Sequence, residues 1–463
     1  MKICVLAAAL MYLILGSGVA QSTLDSENNP TVITDINKST ERYRRTQLRC
    51  RIATEPNLKP FPKGLDEFRT NPEMNTYADL FGDGSIEFIT GANDSTYIKE
   101  DQNFPNEGNE ARATKPINHP IYSPQPDFEL GLDLNFHNAH FFTVDVNGDD
   151  KDDVVFAQQG RDWAPFQKMS NYVLLSSEDA YQLIRLPGRK SPYHHGTAGD
   201  IDNDGDTDII IVPGRENRII AYINRGDGTF DFREVGGTKQ KSWDDNERYY
   251  FASLWDLDDD GFLDLILGSQ KSKTKIIWGT GTVDFDGEAT EFGDETDYYF
   301  DFEFRDFNGN GVKELITLGG TYNPKSEYQN NYKGWHFQKF ELRDRTIKKI
   351  QDIEKIVHHS NMFLANFAAC DIQQDGDLDL VFERSRQFYR SLALAKKDPT
   401  LNFSTITRVI WYNTDNGFER IRIEDPNYYP HASEDIKQAI IKHATNLGST
   451  AERYTPSQQY YPF

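Results

Sequence analysis

Asp200, Asp202, Asp204 and Asp208 occupy positions 1, 3, 5 and 9 of one short stretch, with Gly205 at position 6. Alternate side-chain oxygens converge on a single point when a chain wraps around it, and glycine permits the sharp turn this needs. Four carboxylates at such range repel strongly unless a cation lies between them. Calcium takes about six to eight oxygens in loose geometry, and position 7 can add a backbone carbonyl; magnesium is smaller and stricter. No Cys or His lies in the stretch, which argues against zinc. The spacing is not that of an EF-hand, which needs a bidentate acid at position 12 between two helices. Here position 12 is Ile211, inside an apolar β-branched run.

The same stretch recurs. Its first acids are Asp79, Asp145, Asp200, Asp256, Asp306 and Asp371, at intervals of 66, 55, 56, 50 and 65 residues. Asp256, Asp258, Asp260 and Asp264 form a second complete set. Asp145, Asn147, Asp149 and Asp153 come close, with Asp150 at the glycine position. Asp371, Asp375 and Asp379 keep three acids around the neutral Gln373. Asp306, Asn308, Asn310 and Glu314 carry only two charges. Asp79, Phe81, Asp83 and Glu87 lack an oxygen at position 3, and that loop is expected to be empty. The competing reading is an Asp/Asn-Gly turn without metal; it weighs least on the two complete loops and most on the weakest.

These loops need strands to hold them. Apolar or aromatic residues precede each loop, as in Phe141-Phe142-Thr143-Val144, and a β-branched run follows, as in Ile209-Ile210-Ile211-Val212. That pattern is strand, loop, strand. Further apolar stretches end at hairpin signals such as Gly226-Asp227-Gly228 and Asp415-Asn416-Gly417. About four short strands per unit make one propeller blade, and blades that cannot bury both faces alone must stack into a closed ring. The expected fold is all-β, a β-propeller of six to seven four-stranded blades with seven favoured, spanning 74–430. Residues 21–73 would add a degenerate or closing blade, and 431–463 a short helix and tail.

On these residues the units resemble FG-GAP/VCBS repeats, the blades of the integrin α-subunit propeller and of many secreted proteins. The resemblance covers roughly 70–425. It implies that each loop joins the two inner strands of a blade. It is specific for fold and poor for function, because the family spans adhesion proteins, lectins and lyases.

The bulk properties narrow the partners. Net charge is −23, which argues against nucleic acid. Residues 1–20 read as a signal peptide: Lys2, an apolar run from Ile3 to Leu15, then Gly18-Val19-Ala20. That apolar run is too short to span a bilayer, and no later segment is long and apolar enough to do so. A secreted, extracellular monomer is expected. Cys50 and Cys370 remain in the mature chain and either pair or lie buried as free thiols. Sequons stand at Asn37, Asn93 and Asn402.

Residues preceding the loop-bearing strands should gather at the opposite end of the channel. They include His140, His194, His195, Tyr250, Tyr299 and His359. Such a ring can bind a sugar by stacking and hydrogen bonding, or a peptide, or it can be packing where blades converge. Two functions compete: an extracellular binding or adhesion module for a glycan or protein ligand with structural Ca2+, and a carbohydrate-active lyase or hydrolase working in the propeller cleft. No nucleophile motif distinguishes the second.

Overall fold

A computed structural model of the chain describes residues 36–54, 75–80, 82, 87–92, 95–99, 115–116, 140–159, 168–176, 182–214, 216–236, 248–269, 272–322, 332–357, 362–386, 406–414 and 417–422. The expected signal peptide, the C-terminal helix, His359, Asn93 and Asn402 fall outside them.

Among the described residues, twenty-four strands form six antiparallel sheets, each a four-stranded meander in sequence order. The first is β1 (Asn75–Ala78), β2 (Glu87–Ala92), β3 (Ser95–Lys99) and β4 (Lys115–Pro116). The second is β5 (His140–Val144), β6 (Asp153–Ala157), β7 (Tyr172–Leu175) and β8 (Gln182–Arg185). The third is β9 (His195–Gly199), β10 (Asp208–Val212), β11 (Arg218–Asn224) and β12 (Phe230–Gly236). The fourth is β13 (Tyr249–Trp255), β14 (Asp264–Ser269), β15 (Thr274–Ile277) and β16 (Ala289–Phe292). The fifth is β17 (Asp297–Arg305), β18 (Glu314–Tyr322), β19 (Tyr332–Arg343) and β20 (Thr346–Val357). The sixth is β21 (Met362–Cys370), β22 (Asp379–Arg386), β23 (Ile406–Thr414) and β24 (Gly417–Arg422).

The β-branched runs explain how the sheets stack. Along β10, Ile209 and Ile211 enter the core shared with the second sheet, whereas Ile210 and Val212 enter the core shared with the fourth. Both faces are buried, so the strand reads as continuously apolar rather than alternating. The fourth and fifth sheets share Trp255, Ile266, Phe304 and Leu315, and the fifth and sixth share Ile316, Leu318, Phe367 and Leu380. Sheet stacked on sheet around common first strands is a β-propeller.

Residues 36–54 depart from the sequence expectation. They form no blade strand. A turn of 3-10 helix, Ile36–Ser39, leads into helix α1, Glu41–Thr54. Thr40 caps it, its Oγ1 accepting the Tyr43 amide at 3.2 Å. The helix packs against β1, β5, β9 and β21, the first strands of four sheets, and its arginines pair with β17. It therefore sits inside the circle of first strands. Cys50 on α1 is disulfide-bonded to Cys370 at the end of β21, which resolves the two readings of these cysteines in favour of pairing. Among the described residues no helix is long and apolar enough to cross a membrane.

Candidate metal centres

Each loop occupies the same place in its sheet. Position 1 directly follows the first strand, and position 9 opens the second. The flanking register is also shared: Val144 faces Asp153, Gly199 faces Asp208, Trp255 faces Asp264, Arg305 faces Glu314, and Cys370 faces Asp379.

The hydrogen bonds repeat with the register. In the loop starting at Asp200, its Oδ1 accepts the Asp204 amide at 3.1 Å and its Oδ2 accepts the Gly205 amide at 3.0 Å. Asp204 Oδ1 accepts the Asp206 amide at 3.0 Å. Asp208 spans two strands, taking the Ile201 amide at 3.0 Å on Oδ2 and the Asn224 amide at 2.8 Å on Oδ1. Asp256, Asp260 and Asp264 make the equivalent bonds, Asp264 holding the Leu257 and Gly279 amides at 2.8 and 2.7 Å. Asp371, Asp375 and Asp379 repeat the set. Asp306, Asn310 and Glu314 keep most of it, and Asn308 adds a bond to the Asn310 amide. Asp145, Asn147, Asp149 and Asp153 form a close variant in which Asp153 also accepts from Ser176 Oγ.

Two backbone positions per loop are left-handed. Position 6 is Gly205 at φ 97° and Gly261 at φ 89°, and Asp150 adopts φ 64° there, a conformation Asp tolerates. Position 4 is equally left-handed, at Asn203, Asp259 and Gln374, a requirement the spacing of acids does not reveal.

The position-9 carboxylates are buried, and burial pushes Asp153, Asp208 and Asp379 up to about 7 and Asp264 to about 8, against their backbone N–H donors. Asp200 and Asp202 are raised by burial and by the nearby Asp204. Carboxylate oxygens of Asp200, Asp202 and Asp208 lie within 4.8 Å of one another, as do those of Asp256, Asp258 and Asp260. Positions 1, 5 and 9 give oxygens to the backbone. Position 3 does not spend all of its own: Asp202 Oδ1 and Asp258 Oδ1 are buried acceptors that no donor reaches. All-oxygen donors plus such an atom fit a hard cation. In the second complete loop Arg345, at the β19–β20 turn, holds the other oxygen of Asp258 at 2.6 Å. The loop expected to be empty is described only at Asp79, Leu80, Gly82 and the backbone of Glu87. There the Asp79 amide donates to Asp152 Oδ2, and Lys151 lies against Gly82.

The chain carries an FG-GAP-like repeat, matched over residues 200–246. The matched stretch begins at position 1 of the first complete loop and takes in the rest of it. No curated protein matches the chain. Among solved structures it is similar to a chain of the crystal structure of BBS1N in complex with ARL6DN, soaked with lead. Identity is 9%, the alignment covers 67% of this chain and 88% of the other, and the TM-score is 0.35.

Among the described residues, those expected at the far end of the blades do not form one ring. His194 immediately precedes β9 and His195 opens it, and their rings take part in separate contacts. His140 and His195 are stacked, with ring centroids 3.8 Å apart, and His195 packs on Phe251 at 4.1 Å. Burial pushes both imidazoles well below their ordinary pKa, and the nearby Arg45 pushes the same way. This neutral row lines the helix. Tyr299 is buried within the fifth blade, its hydroxyl donating to Gln338 at 2.8 Å. The half-buried His194 and Tyr250 meet edge-on at 4.9 Å, and Tyr250 meets Tyr298 at 6.1 Å. Gly214 at φ 60° makes room for this row, because a Cβ there would lie 1.7 Å from His194.

The sequon at Asn37 is absorbed by the fold. Asn37 is buried, and its Oδ1 accepts the Asp256 amide at 2.8 Å. Ser39 Oγ accepts the Asp200 amide at 3.4 Å.

Proposed function

We propose that this chain is a secreted binding module whose propeller loops hold structural calcium and whose opposite end presents the half-buried His194 and Tyr250, with the buried Tyr298 beside Tyr250, to a glycan or protein ligand. The observation that carries the calcium reading is the buried, donorless position-3 oxygen in each complete loop. An unsatisfied buried acceptor costs about 1–3 kcal/mol, and a cation at the loop centre would answer it. A cation there would be held by Asp200, Asp202, Asp204 and Asp208, and by Asp256, Asp258, Asp260 and Asp264. Its role would be to fix the turn between the first two strands. Extracellular calcium is abundant, so weak sites suffice.

The ligand face is supported by the aromatic row across three successive blades, on the strand ends remote from the loops. Aromatic faces flanked by hydrogen-bonding tips suit sugar rings. The test is a glycan array in calcium, repeated in chelator, with wild type beside Tyr250→Ala. Saturable binding lost in Tyr250→Ala supports the module. Product release from bound glycans would instead identify an enzyme, and binding indifferent to Tyr250 would place the ligand elsewhere.

A further inference from the structure

Helix α1 is an unusual occupant for an enclosed space. Its sequence carries five arginines and one glutamate, a charge of 5 − 1 = +4. Arg42 is buried, ion-paired to Asp301 and lying 3.3 Å from Glu303, and it donates to the Phe367 carbonyl at 3.2 Å. Arg45 reaches Asp301 at 3.0 Å. Thr46 donates to Glu303, and Arg44 pairs with Asp152 at 2.6 Å. Asp301 and Glu303 are themselves fully buried on β17. The helix is thus held mainly by ionic contacts rather than by an apolar face.

Such contacts are exchangeable. A buried ion pair regains hydration when it separates, so its net contribution is small relative to the penalty for breaking only one side. A Leu-faced helix would resist leaving for water; this one is built of groups that water solvates well. Besides its own backbone, the Cys50–Cys370 disulfide ties it covalently to β21.

We propose that the space inside the first strands is a binding site for an arginine-bearing helix, that residues 36–54 are its resident ligand, and that the disulfide governs their exchange. The acids Asp301 and Glu303 recognise the guanidinium groups. The gating step is a two-electron reduction: a dithiol gives two electrons and two protons, the S–S bond breaks, Cys50 and Cys370 become thiols, and the reductant closes to its own disulfide. The proposal does not depend on calcium.

The experiment uses the full chain, oxidised and after dithiol treatment with both thiols confirmed free by alkylation. The probe is a labelled synthetic peptide of residues 36–54 carrying Cys50→Ser. Reduction should speed amide exchange across 41–54 by about tenfold while the sheets stay protected. It should also permit saturable peptide binding that the oxidised chain refuses and that Arg42→Ala with Arg45→Ala in the peptide abolishes. Cys370→Ser, if it folds, should bind peptide without reductant; if it does not, the reduced wild type decides. Unchanged exchange over 41–54, loss of sheet protection on reduction, or absence of peptide binding would each overturn the proposal.

Discussion

The rim loops and the axial helix place charge in opposite ways. At the rim, carboxylates gather within a few residues of one another and are answered by their own backbone amides, five times over with closely similar bonds. At the axis, Asp301 and Glu303 are answered by Arg42, Arg45 and Thr46, more than 250 residues away in sequence. A local motif brings its partners with it and can be copied from blade to blade. The axial network exists only once, after the ring has formed, and each partner depends on the other being present.

The largest expected effect tests that dependence. Asp301→Ala leaves Arg42 buried without its principal partner and should cost about 3–5 kcal/mol in denaturant unfolding. Asp264→Ala removes the clamp on the Leu257 and Gly279 amides and should cost about 2–3 kcal/mol. If Asp264→Ala proves the more damaging, the rim and not the axis is the stiffer region. Calcium gives a smaller and more selective effect. At ten times its Kd it should raise stability by about 1.4 kcal/mol per occupied loop. Asp202→Asn with Asp258→Asn should abolish that gain while moving the stability in chelator by no more than about 0.5 kcal/mol. A calcium response that survives the double variant would assign the ion to other oxygens.

The same contrast explains what was legible in the sequence. The loops, their place between first and second strands, and the propeller were readable because position 1, position 9 and the β-branched runs recur at near-constant spacing. Both faces of β10 being buried was written in Ile209-Ile210-Ile211-Val212. Helix α1 left a weaker trace. Thr40-Glu41 is a helix start, and no Gly or Pro follows until Pro56. Its destination was hidden because a helix polar all round reads as solvent-exposed, and nothing local to Arg42 points to Asp301. The His and Tyr ring failed for another reason: His194 lies just before β9 and meets Tyr250, whereas His195 opens β9 and stacks on His140, so grouping them merged two rows into one.

The smallest effect concerns protons at the axis. Burial raises Glu41 to about 7, Asp301 to about 6 and Glu303 to about 7, against the pull of the arginines around them. Each carboxyl binds its proton more tightly in the folded chain than in the unfolded one. Their contribution is therefore fully present below the unfolded pKa near 4 and is lost as pH rises through about 6–7. His140 and His195 act in the reverse sense: their folded pKa lies below the ordinary 6.5, so they favour the folded chain above that value and oppose it beneath. The two sets conflict below about 6.5, which confines a clear outcome to the interval from about 6.5 to 8. There, in saturating calcium so that rim carboxylates do not contribute, lowering the pH should raise the melting temperature. Asp301→Asn with Glu303→Gln should flatten that slope. A slope that persists in the double variant would move the titrating groups away from Asp301 and Glu303.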